Sequence, residues 1–146
     1  MTRADREDQL VALRAERERT EAAIPPIEAE LGPAERRLEE AQAKYDRTLR
    51  LRNRAHAAAA ERWQPRTATA LEDAKAVLAV ADGELQECLV RRNALLTRRG
   101  DLRMRCRALE TEIDSTEAEI AKVEAVAART EQTHAGLLRR FTEVPR

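Results

Sequence analysis

Two histidines, two cysteines and a dense run of arginines are the side chains of this 146-residue chain that could do chemistry. His56 and His134 could bind a metal or move a proton, but neither has a Cys, an Asp or a second His at ligand spacing around it. Cys88 and Cys106 lie 18 residues apart on one predicted helix, about 27 Å along its axis. That separation forbids a disulfide within the chain, so both read as small buried hydrophobes in a reducing compartment. The four glycines are scattered and form no phosphate-binding loop, and no nucleophile with a neighbouring base can be assembled. The pattern predicts no enzyme, no cofactor and no metal site. Seven arginines between Arg91 and Arg107 stand against Asp101 alone, which could make a nucleic-acid patch. No aromatic residue is interleaved with them, and the net charge of the chain is zero, so nucleic acid is disfavoured as a partner.

These residues sit on a repeat. Alternating steps of three and four from Leu71 to Phe141 visit 21 positions, of which 16 are apolar, where the 42% hydrophobic composition would place about nine. The phase never slips, which calls for one long helix with a single seam. The composition, 37% charged and 2% aromatic, fits a coiled coil better than a globule. No apolar run reaches the length of a membrane span, so the chain is expected to be cytoplasmic without membrane insertion.

A partner for that helix lies upstream. The same stepping from Leu10 to Ala59 finds 11 apolar residues in 15 positions. Thr2 and Asp5 form a capping-box pattern for a helix starting near Arg3. Pro25-Pro26 and Gly32-Pro33 interrupt the arm while the seam keeps its phase, which predicts a kink or short break at residues 24–33. Pro65 is expected to stop the first arm, and Thr69 with Glu72 to cap the second. The predicted architecture is therefore all-α: one domain, a long antiparallel two-helix coiled-coil hairpin. Arm one covers 3–62, the turn 63–68, the longer arm two 69–141, and a short tail 142–146.

With the turn centred on Pro65, residues whose numbers add to about 130 should face each other. The basic segment from Lys44 to Arg66 would then face Glu72, Asp73, Asp82, Glu84 and Glu87. The Arg91–Arg107 block would face Glu28, Glu30, Glu35, Glu39 and Glu40. Gly100 falls opposite the proline interruptions, so both arms weaken at one level, an elbow. Arg17, Arg52, Arg92 and Arg99 occupy seam positions; their stems are expected to lie over the seam while the guanidinium reaches acids such as Glu28 and Glu30. The arms are unequal, which leaves the last 15 to 20 residues of the second without a cover.

The candidate partner-binding residues follow from that imbalance. Leu137, Arg139, Arg140 and Phe141 lie on the overhang. Leu49, Leu51, Val77 and Val80 cluster outside the seam near the turn. Leu89 and Leu96 face the small Ala41 and Ala34 and are read as space fillers. Trp63 sits at the turn, either as an anchor packing back on the helix ends, the preferred reading, or as a partner contact.

The Leu10 to Ala59 arm, the turn from Trp63 to Thr67 and a second helix opening Thr69-Ala-Leu-Glu-Asp resemble the plan of the FliJ/YscO family, stalk proteins of flagellar and type III secretion export systems. The resemblance implies a non-enzymatic, cytoplasmic adaptor in protein transport. Its open coiled-coil end would sit in a hexameric export ATPase through Leu137, Arg139, Arg140 and Phe141, with Trp63 and its neighbours toward an export gate or chaperones. Two other classes stand beside it. One is a self-associating structural protein, such as a phage assembly component, that forms a homo-oligomer through the overhang and the Leu49/Val77 patch. The other is a nucleic-acid-binding hairpin.

Overall fold

A computed structural model describes residues 1–143, which form three helices: α1 (Arg3–Ala22), α2 (Ile24–Glu61) and α3 (Pro65–Thr142). Among the described residues there is no strand, and the protein is all-α. Residues 144–146 of the expected tail lie outside the described residues.

Each helix start follows from local chemistry. The Thr2 hydroxyl accepts from the Asp5 amide at 3.2 Å, and the Asp5 carboxylate accepts from the Thr2 amide at 2.7 Å, the reciprocal capping box expected there. The break in the first arm is shorter than expected and lies earlier. Only Ala23 falls outside a helix, its amide donating to the Arg19 and Thr20 carbonyls at 3.2 Å. Pro25 and Pro26 occupy the first turn of α2, where backbone amides have no intrahelical acceptor and proline costs little. Gly32 and Pro33 stay inside α2 on its exposed face, so the interruption of the first arm is confined to Ala23, at the edge of the stretch 24–33 where a kink or short break is expected.

The turn is also corrected. Pro65 opens α3 instead of ending an arm, since a proline at the first helical position forfeits a donor that has no partner anyway. Thr67, three residues after Gln64, then takes the reach-back role expected of Glu72, and Gln64 stands where Thr69 is expected. The Thr67 hydroxyl accepts from the Gln64 amide at 3.0 Å, while Thr69 donates to the Pro65 carbonyl at 2.9 Å. The connection shrinks to residues 62–64.

The chain divides into two compact units. The first holds Met1–Ala23 and the residues from Leu102 onward. Its core is Leu13, Leu109 and Ile113, with Leu10 packed against them, and Leu109 is 0% exposed. Four ion pairs set the order along it: Arg3–Glu124 at 2.8 Å, Arg6–Glu119 at 3.3 Å, Arg14–Glu117, and Arg17–Glu110 at 2.7 Å. Partner numbers fall on α3 as they rise on α1 in these four, and a fifth pair, Glu16–Arg105 at 2.7 Å, sits out of that order.

The second unit spans Ile24–Asp101. Ile27, Leu31, Ala34, Ala41, Thr48 and Ala59 are buried on α2, and Leu71, Ala81 and Leu85 on α3. Thr48 satisfies its hydroxyl on the Tyr45 carbonyl at 2.9 Å. Glu30–Arg91 at 3.6 Å and Lys44–Glu84 at 2.8 Å again pair rising with falling numbers. The numbers of the paired residues add to 121–131, with 130 expected.

Candidate interaction surfaces

Burial sorts the seam into a covered and an uncovered part. Every seam position from Leu10 to Ala59, and every one from Leu71 to Val123, is buried or half-buried. From Ala127 onward every described seam residue is exposed: Ala127, Thr130, His134, Leu137 and Phe141. The three-four stepping thus runs past its cover, and the last cross-helix ion pair toward that end is Arg3–Glu124. Arg139 and Arg140 lie in the last turn of α3, where cations complement the carbonyl end of the helix dipole.

Two further apolar residues widen this bare stripe. Val126 precedes a seam position and Leu138 follows one; they are 61% and 53% exposed, beside Leu137 at 48% and Phe141 at 77%. Counting only seam positions misses them, and the signal that finds them is apolar character one residue to either side of an uncovered seam. Val126, Arg129, Thr130, Thr133, His134 and Leu137 line an open groove along this helix.

The residues near the connection divide. Leu51, Val77 and Val80 are more than half exposed, while Leu49 is half-buried. Two residues along a helix is about 200° of turn, which puts Leu49 on the side away from Leu51 and outside their patch. Trp63 is 73% exposed, so it does not pack back on the helix ends as preferred from the sequence. Leu89 and Leu96 are half-buried and Ala41 and Ala34 buried, as their space-filling reading requires.

Part of the basic block is engaged. Arg91 pairs with Glu30 and Arg92 bonds Asn93 at 3.2 Å. Arg105 donates to Glu16 at 2.7 Å, and that hydrogen bond raises its already high pKa. Of the acids expected opposite the two basic segments, Glu30 and Glu84 make the pairs described here, whereas Glu72 engages Lys75 on its own helix. The seam arginines Arg17, Arg52, Arg92 and Arg99 are all half-buried. Arg17 reaches Glu21 and Glu110, not the acids named from the sequence. The Nε atoms of Arg17, Arg52 and Arg92 are buried without a hydrogen-bond partner.

Among the described residues no group of three or more His, Cys, Asp or Glu side chains could hold a metal. No helix among them is long and apolar enough to cross a membrane. Cys88 is half-buried and Cys106 buried, both as free thiols. Comparison with protein-family models, curated proteins and solved structures finds no match to this chain.

Proposed function

We propose that the chain is a single antiparallel coiled-coil hairpin that works as a non-enzymatic, cytoplasmic interaction protein, an adaptor or stalk that inserts its uncovered helix end into a protein partner. The ion pairs of falling and rising number support the hairpin. The observation that carries the functional reading is the seam of α3 staying in phase beyond Val123 with nothing over it. An apolar stripe of Val126, Leu137, Leu138 and Phe141 flanked by Arg139 and Arg140 suits a helix-lined hole or groove with acidic margins.

In the resemblance to export stalk proteins that partner is a hexameric export ATPase, with Trp63 left for a gate or chaperone. Purified chain and cognate ATPase should associate in a pull-down, and Leu137→Ala/Phe141→Ala should abolish the association. Absence of binding with and without nucleotide rejects the ATPase as partner. The hairpin is tested separately by spin labels at Leu38 and Arg92, which should lie at neighbouring-helix distance.

A further inference from the structure

The second unit has an apolar rung in a ladder of ion pairs. Lys44 of α2 meets Glu84 of α3 at 2.8 Å. One heptad on from Lys44 is Leu51, and one heptad back from Glu84 is Val77, so in this register Leu51 and Val77 come opposite each other where another ion pair would stand. They are 55% and 52% exposed, and Val80, three residues from Val77 on the same face, is 61% exposed.

The margins of this patch carry opposite charges. On the α2 side Arg47 and Arg54 flank Leu51 and line a shallow concavity with it. On the α3 side stands Asp73, four residues before Val77. Arg47, Arg54 and Asp73 are exposed and have no ion-pair partner among the described residues, whereas Glu30, Lys44, Glu84 and Arg91 of the same unit are paired.

We propose that this flank is the contact through which two copies of the chain form a two-fold dimer, with the axis running along the helices. Rotation about that axis lays the α2 margin of one copy against the α3 margin of the other. Arg54 and Asp73 lie at one level, their numbers adding to 127 as those of Lys44 and Glu84 add to 128. Arg54 of each copy therefore meets Asp73 of the other, twice in the dimer, around a centre of Leu51, Val77 and Val80. Nearer the connection Glu61 and Arg66, also adding to 127 and also exposed, repeat the arrangement. One heptad beyond Val80 the corresponding residues are Glu40 and Glu87, like charges, so the contact stops there.

A foreign acidic partner would satisfy the arginines but be repelled at Asp73, and so would a nucleic-acid backbone. A second copy supplies both signs. The face is short against the ~800 Å² per partner of stable dimers, so the association is weak and loosens with salt.

Sedimentation equilibrium of the full chain at low ionic strength tests this, from about 10 μM to 1 mM, where weak interfaces are populated. The expected result is a reversible monomer–dimer equilibrium that Arg54→Asp and Asp73→Arg each weaken about tenfold or more. Mixing the two variants should restore association, because both contacts of the mixed dimer are again Asp with Arg. A monomer throughout overturns the proposal. So does a dimer indifferent to either reversal, or one lost in both variants and not regained on mixing. Binding of a DNA duplex that Arg54→Asp abolishes, with no dimer formed, also overturns it and assigns the arginines to nucleic acid. The inference rests on the antiparallel pairing of α2 with α3, so the Leu38–Arg92 distance is measured on the same samples. A long distance removes the hairpin itself; a short one without a dimer removes only the docking. Neither reversal touches the overhang, so partner binding there should be unchanged.

Discussion

Arg92 shows what a polar residue does in this seam. It is half-buried, its Nε has no hydrogen-bond partner, and a terminal nitrogen turns to the neighbouring Asn93. A buried donor left unsatisfied costs about 1–3 kcal/mol, which the register it imposes must justify. Arg92→Leu should therefore raise stability by about 1 kcal/mol, read as a higher urea midpoint with an unchanged slope. At the other extreme, Leu109 is fully buried among Leu13 and Ile113. Leu109→Ala should cost about 2–4 kcal/mol by loss of transfer energy and a residual cavity, whereas Val126→Ala, on the bare stripe, should stay within about 0.5 kcal/mol. The start of α1 has its own pH dependence. The Thr2 backbone amide, with a further hydrogen bond to the Thr2 side chain, holds the Asp5 carboxyl below its ordinary 3.8. That contribution is fully present above 3.8 and is lost as pH falls through the lower folded value. Protection of the first-turn amides, measured against their intrinsic exchange rates, should fall below pH 3.8 in the wild type, and Thr2→Ala should show less of that change.

For the helices, the repeat was readable because a three-four stepping that holds phase admits one helical face, and burial follows it at every position from Leu71 to Val123. The boundaries were not, since the same local signals fit two sites. Pro25-Pro26 breaks a helix from within yet suits its first turn, and Pro65 ends one helix as readily as it begins the next. Thr69 with Glu72 matches a capping box in type, but Thr67 bonds back to the Gln64 amide and the helix starts earlier. Leu49 beside Leu51 looked like one patch because proximity in sequence says nothing about facing. Gly100, the glycine expected to weaken the second arm at the elbow, lies within α3, and a Cβ there meets nothing within 4 Å. Gly100→Ala should stabilise by about 0.5–1 kcal/mol through helix propensity alone, checked by thermal unfolding. A drop in stability instead would mean that α3 bends at this position in a way a side chain resists.

Across the whole molecule, the decisive asymmetry is between seam that is covered and seam that is not. Balanced charge, 27 basic against 27 acidic residues, leaves no net charge to steer a partner, so in the proposed function recognition falls to local apolar stripes with charged margins. An isolated helical end of this length is marginal in water without packing. The described residues of α3 after Ala127 are all exposed, so they add little to the stability of the units. A chain ended after Ala127 should keep its unfolding midpoint within about 2 °C of the full chain while losing the proposed protein partner. In the full chain, amides from 128 to 142 should exchange far faster than those around Leu109, and a bound partner should slow them selectively. A large fall in the midpoint on truncation would show that this end packs on the rest of the molecule. The seam would then be covered from within, and the stripe of Val126, Leu137, Leu138 and Phe141 would be core and not a docking surface.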